Sequence, residues 1–420
     1  MAALDSIHLW TMATAATVAM ACALAGCFLV VRRMSLLGDA LSHAVLPGIV
    51  LAVLAGGRPG GPAVFLGAVA AALATAWLTD LLHSRAGLAE DAGTGVAFTT
   101  LFAIGVVLVT ALASRIDLDP ACVLYGILEL VPFDTVPILG AEVPRALVSG
   151  ALVLALLVVA ATLFWKEIVF ASFDPDAARA AGLPVAAIST GLLGATTLAT
   201  VASFEAVGAI LVVALLVVPA AAAELLTRRL SRMIPLAMAL GAGGSVVGYL
   251  LARRFGTNAG GMIAVVLGVE YLAAALFAPG EGVAARLVAR TSLRFRVVRE
   301  DRLAAAWRAE EEGTLAAPPR GLVDRAAEEW LAAKGLLSAD RPRRLTPAGR
   351  SEARLVVRSH RLWEAWLGRH VALPLDHLHP PAEWIEHHLG AGVRGRIAAE
   401  LASGGDDPHG RAIPPEDAAG

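Results

Sequence analysis

The chain has 420 residues, of which 57% are hydrophobic, and a mean hydropathy of +0.69. That excludes an ordinary soluble globular domain. The net charge of -2 conceals an asymmetry: residues 1–280 are nearly charge-free between short polar loops, whereas 284–420 are dense in Arg, Glu, Asp and His, the pattern of a membrane part followed by a soluble part.

Apolar segments run at about 10–31, 41–56, 63–82, 93–113, 146–165, 186–203, 206–226, 233–252 and 257–277. Each approaches the roughly 20 residues that cross a bilayer as a helix. The fold class read from this is mostly α: a polytopic helical membrane protein of about nine spans, then a small soluble helical domain. The expected division is a membrane domain over 1–283, a basic linker over 284–297 and a soluble domain over 298–420. The N-terminus lacks a basic leader and a clear cleavage site, so the first segment reads as a span. Arg32 and Arg33, the stretch Lys166 to Arg179, Arg228, Arg229, Arg232 and the Arg-rich start of the tail fall on one side; Arg253 and Arg254 fall on the other. The basic excess makes that side cytoplasmic, with the N-terminus outside and the soluble domain inside. The stretch Asp117 to Pro137 is too polar at its start for a span and reads as a re-entrant or interfacial helix. Cys22, Cys27 and Cys122 form no CxxC pair, so they suggest neither a disulfide framework nor a thiolate zinc site.

The segment Arg32 to Ile49 reads RRMSLLGDALSHAVLPGI. Asp39 and His43 are four residues apart and share one helical face. Ionisable groups in a membrane segment mark ion or substrate pathways by default, and carboxylate plus imidazole suits Mn²⁺, Zn²⁺ or Fe²⁺. Spacing alone allows an alternative in which Asp39 caps a helix at the aqueous end of a span and His43 is simply hydrogen-bonded. Pro47 and its neighbouring glycines suggest a broken helix here. This run resembles the signature of the manganese/zinc/iron-type ABC permeases, a basic pair followed by M-S-L-x-G-D-A-L-S-H-A-V-L-P-G. The resemblance covers about residues 8–280 and implies that Asp39 and His43 face the translocation path and touch the metal.

Between Trp165 and Pro184 the chain reads WKEIVFASFDPDAARAAGLP. By pattern this is a solvated amphipathic loop, with Asp174 placed to cap a short helix starting at Pro175. It is similar to the cytoplasmic F-D-P-x-x-A-x-x-x-G-L-P loop of the same permeases. The resemblance implies that Phe173, Asp174, Pro175, Ala178 and Gly182 dock on the ATPase. Glu205 stands in an apolar context, as an interfacial carboxylate or a path-lining one. No G-x-x-x-x-G-K-[ST] occurs, which excludes P-loop ATP hydrolysis on this chain.

In the tail, Arg302 to Gly313 and Gly321 to Gly335 read as helices, Leu336 to Thr346 as a small β-wing, and Pro347 as the start of a further helix. His360 and Glu364 are four apart; so are His379 and Glu383, and Glu383 and His387, with Glu386 beside them. Such spacing lets imidazoles and carboxylates converge on a divalent cation, or form ordinary Glu–His hydrogen bonds on a surface helix. The patterns H-R-L-x-E (His360, Arg361, Leu362, Glu364), H-x-x-A-x-x-x-E-H (His379, Ala382, Glu386, His387) and P-H-G-x-x-I-P (Pro408, His409, Gly410, Ile413, Pro414) resemble the diphtheria-toxin-repressor/manganese-repressor family of metal sensors. The resemblance implies metal ligation by the matched His and Glu residues. Glu383 stands where iron sensors carry Cys and manganese sensors Glu, which favours Mn²⁺. Manganese sensors place two acids in their first helix; Asp301 aligns with one, and the other falls on Ala304. The DNA-reading part is short, and Asp324, Glu328 and Glu329 give it the wrong sign for phosphate.

Together these readings give a permease subunit of an ABC importer for divalent transition metal, manganese before zinc or iron. It is not itself an enzyme, and its cytoplasmic tail senses metal. Expected partners are ABC ATPase subunits, an extracellular or periplasmic solute-binding protein, a second permease copy and the lipid bilayer of the plasma (inner) membrane, and not nucleic acid. The alternatives are a membrane-anchored, metal-dependent transcriptional regulator, or a permease with a degenerate tail serving only folding or dimerisation.

Overall fold

The structure, a computed structural model, describes residues 2–34, 40, 44–56, 62–112, 128–138, 140–280, 282–371, 385, 387, 390–401 and 406–415. They divide into two compact units, Met1–Ala285 and Arg286–Gly420.

The first unit is helical. Its elements are α1 (Ala2–Val31), α2 (Leu46–Leu54), α3 (Pro62–Ala86), α4 (Glu90–Leu112), a 3-10 turn (Leu128–Phe133), a hairpin of β1 (Thr135–Ile138) and β2 (Ala141–Pro144), α5 (Arg145–Leu163), α6 (Trp165–Phe173), α7 (Pro175–Ala180), α8 (Val185–Leu226), α9 (Leu230–Phe255) and α10 (Ala259–Phe277). Among the described residues, six helices are long and apolar enough to cross a membrane, and Ala63–Thr79 and Leu211–Leu226 are shorter apolar helices. The apolar segment at 41–56 yields the nine-residue α2.

Helix α1 is the axis of this unit. Its apolar window is 72% buried, against 17% for that of α10. Leu152, Leu163 and Val265 stand well exposed on α5 and α10, as side chains facing hydrocarbon do. Small residues allow the helices to cross closely. A Cβ on Gly26 would lie 1.7 Å from the Leu216 carbonyl oxygen, so α1 and α8 meet backbone to backbone. A Cβ on Gly248 would lie 2.5 Å from Ile263 Cα where α9 crosses α10.

Helix α8 spans 42 residues and takes in two of the expected crossings. At 1.5 Å per residue it would be about 63 Å long, roughly twice a bilayer core. It breaks at Gly208, whose φ of 74° and ψ of 168° belong to glycine alone.

The stretch expected as a re-entrant or interfacial helix is different where it is described. From Leu128 it forms the 3-10 turn and then the antiparallel hairpin, with Thr135 opposite Pro144. The turn serves α10: Glu129 Oε1 accepts from the Ala259 amide at 3.1 Å, while Asn258 caps the same helix end through the Gly261 amide.

The second unit begins within α11 (Val283–Glu311) and continues through α12 (Leu322–Ala333), α13 (Pro347–His370) and α14 (Ala391–Glu400). The helix expected from Arg302 already starts at Val283, so the basic stretch 284–297 is helical and continuous with it. Leu337 and Leu345 pair as a bridge across the wing, and Thr346 caps α13 through the Gly349 amide. Leu303, Ala306, Leu331, Leu336, Leu345 and Ala353 form one core, and Leu362 and Ile397, with Trp363 and Trp366 against them, form another.

Candidate functional site

The basic pair ends α1. Arg33 takes a left-handed conformation at φ 60°, and the amides of Arg33 and Met34 turn back to the carbonyls of Val30 and Leu29. This is a helix stop of the Schellman kind, with arginine where glycine is usual. Arg32 Nη2 donates to Ser189 Oγ at 2.7 Å, tying the end of α1 to the start of α8. Asp39 and His43 lie outside the described residues. Of the described signature residues around them, Ala40, Ala44, Val45, Pro47 and Gly48 are buried. Gly48 and Gly67 abut, each with a carbonyl where the other's Cβ would stand, and Gly105 lies against Pro47. The signature's Pro-Gly thus fixes α2 between α3 and α4. Glu205 lies on α8, but its side chain is outside the described set.

The Trp165–Pro184 segment folds as its local chemistry dictates. Asp174 Oδ1 accepts from the Ala177 amide at 2.9 Å, Pro175 fills the first helical position, and Gly182 reverses the chain at φ 83°. Ala178 is buried with Ala171 and Val185, which seats the short α7 against its neighbours. Phe173 is 63% exposed. An apolar ring held outward on a capped turn is available to a partner protein.

In the second unit two imidazole clusters form. On α13, His360 Nε2 lies 3.2 Å from Glu364 Oε1, with both side chains almost fully buried. The turn at 406–412 brings His409 Nε2 to 3.8 Å from the same oxygen. That turn is held by Asp407, whose Oδ1 accepts from the amides of His409 and Arg411. Arg361, also buried, ties α13 to α11 and to this turn. Its Nη1 and Nη2 donate to the two carboxylate oxygens of Glu311 at 3.1 and 2.5 Å, and Nη1 also donates to the Ala412 carbonyl at 2.7 Å. Burial works to raise the Glu311 carboxyl, yet the hydrogen bonds and charge of Arg361, with Arg411 behind, hold it below the usual carboxylate range.

The second cluster centres on His387. Glu300 Oε2 lies 2.6 Å from Nδ1, and Asp301 Oδ1 lies 3.1 Å from Nε2. A cavity of about 240 Å³ beside it is lined by Glu300, Glu352, Ser359, His387 and Arg394 among others. The sequence pointed to Asp301 and to a gap at Ala304. It did not single out Glu300, although the adjacent acid pair at 300–301 was the available signal. His379, Glu383 and Glu386 lie outside the described residues.

The donors are of the right kind for a divalent cation, since imidazole and carboxylate both suit one. Among the described residues, however, no group of three or more His, Cys, Asp or Glu side chains is arranged to hold a metal ion. The two carboxylates at His387 address opposite nitrogens of one ring, so one ion cannot take all three.

On the wing, Arg341 and Arg343 pair with Glu329 at 2.9 and 2.7 Å, and their hydrogen bonds hold its carboxyl below the usual range. Arginines engaged in this way are not free to meet phosphate.

Residues 5–278 match the ABC 3 transport family, and residues 346–415 match the iron dependent repressor, metal binding and dimerisation domain. The manganese transport system membrane protein MntD of Bacillus subtilis (strain 168) is 45% identical over 279 residues, covering 66% of this chain and 94% of that protein. The zinc transport system membrane protein TroD of Treponema pallidum (strain Nichols) is 38% identical over 280 residues, covering 67% and 76%. The solved structure of PsaBC from Streptococcus pneumoniae in complex with Fab is similar at 30% identity and a TM-score of 0.56, covering 64% of this chain and 91% of that one.

Proposed function

The chain belongs to the ABC 3 transport family, and on that premise we propose that it is the membrane permease of an importer for divalent transition-metal ions, with manganese preferred over zinc or iron. The observation that carries this reading is the match over 94% of the length of a manganese transport membrane protein. The apolar helices of the first unit and the RRMSLLGDALSHAVLPG run support it.

In this reading Asp39 and His43 replace part of the ion's hydration shell during passage, weakly enough for release. Separate ATPase chains supply energy and dock at Phe173, Asp174, Pro175, Ala178 and Gly182. The capped α7 and the exposed Phe173 ring support that assignment. A solute-binding protein delivers the ion outside, and two permease copies work together. The membrane domain covers 1–283 and the sensor domain 298–420, with the N-terminus outside and the C-terminus in the cytoplasm.

The tail reads cytosolic metal. His360 and His409, which lie 3.2 and 3.8 Å from Glu364 Oε1, would close with Glu364 into one donor set around an ion. His387, together with His379, Glu383, Glu386 and an acid of α11, forms the other. A bound divalent ion would supply positive charge at oxygens that otherwise face imidazole. Glu300 and Asp301 sit on the helix that begins at Val283, just after the last membrane helix. Exchanging their His387 bonds for a metal would therefore register on that helix. Feedback of this kind requires the ion to bind the resting and active states with different affinity.

Two uptake measurements test the proposal. Cells carrying the complete importer should take up radiolabelled Mn²⁺ faster than cells lacking this chain, and equal rates would sink the transport reading. Glu364→Gln should leave uptake unchanged at low cytosolic manganese and raise it about fivefold or more at high manganese, since typical coupling energies are about 1–3 kcal/mol. If manganese restrains the variant as strongly as wild type, Glu364 is not part of a sensor.

A further inference from the structure

The first half of α11 has no part in either site, and its surface carries an unusual pattern. Between Gly282 and Arg299 the sequence holds five arginines and no acid. Arg296 and Arg299 are committed within the second unit: Arg296 lies 4.0 Å from Glu300, and Arg299 stacks over Trp330 at 3.8 Å. Arg286, Arg290 and Arg294 are exposed and make no ion pair with a described residue. Val283, Arg286, Leu287, Arg290, Leu293 and Arg294 follow the spacing i, i+3, i+4, i+7, i+10, i+11, which is one stripe of a helix. Val283, Leu287 and Leu293 on that stripe are 43%, 56% and 38% exposed.

A stripe mixing bare leucines with unpaired arginines is poorly suited to water. It suits the boundary of a bilayer, where arginine stems run along apolar surface and the guanidinium heads reach phosphate. The covalent connection keeps the start of the stripe near the end of the last membrane helix. The last membrane helix ends at Phe277 and α11 begins at Val283. The five residues between them, even fully extended, let Val283 stand no more than about 20 Å from Phe277.

We propose that the Val283–Arg294 stripe of α11 lies on the membrane surface and binds anionic phospholipid headgroups through Arg286, Arg290 and Arg294. The partner is lipid rather than a second copy of this helix, because two such stripes would repel. This inference rests on the first unit spanning a membrane and not on which ion it carries. Each arginine strengthens attachment to an anionic surface roughly fivefold, so the three together give on the order of 100-fold.

The test is hydrogen–deuterium exchange of the full chain in lipid nanodiscs, either neutral phosphatidylcholine or the same with about one-third phosphatidylglycerol. Wild-type amides over 284–295 should exchange at least about fivefold more slowly in the anionic discs. That difference should vanish in R286Q/R290Q/R294Q, and at about 0.5 M salt, where screening shortens to about 4 Å. Peptides of α13 should exchange alike in both discs and both proteins, which shows that the variant is folded. Equal exchange in the two discs overturns the proposal. So does protection that survives the triple substitution, because the segment would then be covered by protein.

Discussion

Gly26→Ala should abolish most of the folded membrane unit. The added methyl would stand 1.7 Å from the carbonyl oxygen of Leu216. No rotamer change relieves a clash between a Cβ and a backbone, so α1 and α8 must move apart along the most buried helix of the unit. Overpacking in a well-packed core costs about 1–3 kcal/mol, and a backbone clash belongs at or above the upper end of that range. The measurement is the melting temperature and monodisperse yield of the solubilised full chain. Gly243→Ala is the control: it sits in open space on α9, and alanine should be neutral or stabilising there. If Gly26→Ala melts like wild type, the two helices do not cross at this register.

The second large effect is in the soluble unit. Arg361→Ala removes a guanidinium that is 5% exposed from between Glu311, Asp407 and the Ala412 carbonyl. Breaking a buried ion pair by deleting one partner costs about 3–5 kcal/mol. The lower end applies, because Asp407 keeps two backbone donors and Glu311 is partly exposed. Arg341→Ala, at a 71% exposed arginine, should cost no more than about 1 kcal/mol. The readout is protease resistance of residues 286–420 in the full chain.

The same network fixes the pH dependence. The Glu311 carboxyl is depressed in the folded state. Its contribution is therefore complete above the unfolded carboxylate value of about 4.3, and it is lost as pH falls through the lower folded value. Wild type should lose protection in that acid window, and Arg361→Ala should show a shallower loss there. An identical acid profile in both would remove Glu311 from the account.

Local and periodic features were legible in the sequence. Hydropathy marked the long apolar helices, but the break at Gly208 falls inside the apolar run at 206–226, just past the gap that divided it from 186–203. The Asp174–Pro175 cap was readable because its donor lies three residues away. The hairpin at 135–144 was not readable: its strands are four residues long, and each holds a proline, which weakens any strand signal. Nor was the bond between Glu300 and His387, which are 87 residues apart. Aligning the first sensor helix by resemblance drew attention to Asp301 and Ala304 and away from their neighbour. The Arg361–Glu311 pair escaped for the same reason. No rule of spacing links residues 50 positions apart until the fold brings their helices together.

The central claim is that a divalent metal ion passes this chain by way of Asp39 and His43. The most direct test is uptake of radiolabelled Mn²⁺ by cells expressing the chain with its ATPase and binding protein, comparing wild type with His43→Ala at equal membrane expression. The account predicts clear uptake by wild type and background uptake by the variant. Wild-type uptake that His43→Ala leaves intact would contradict it.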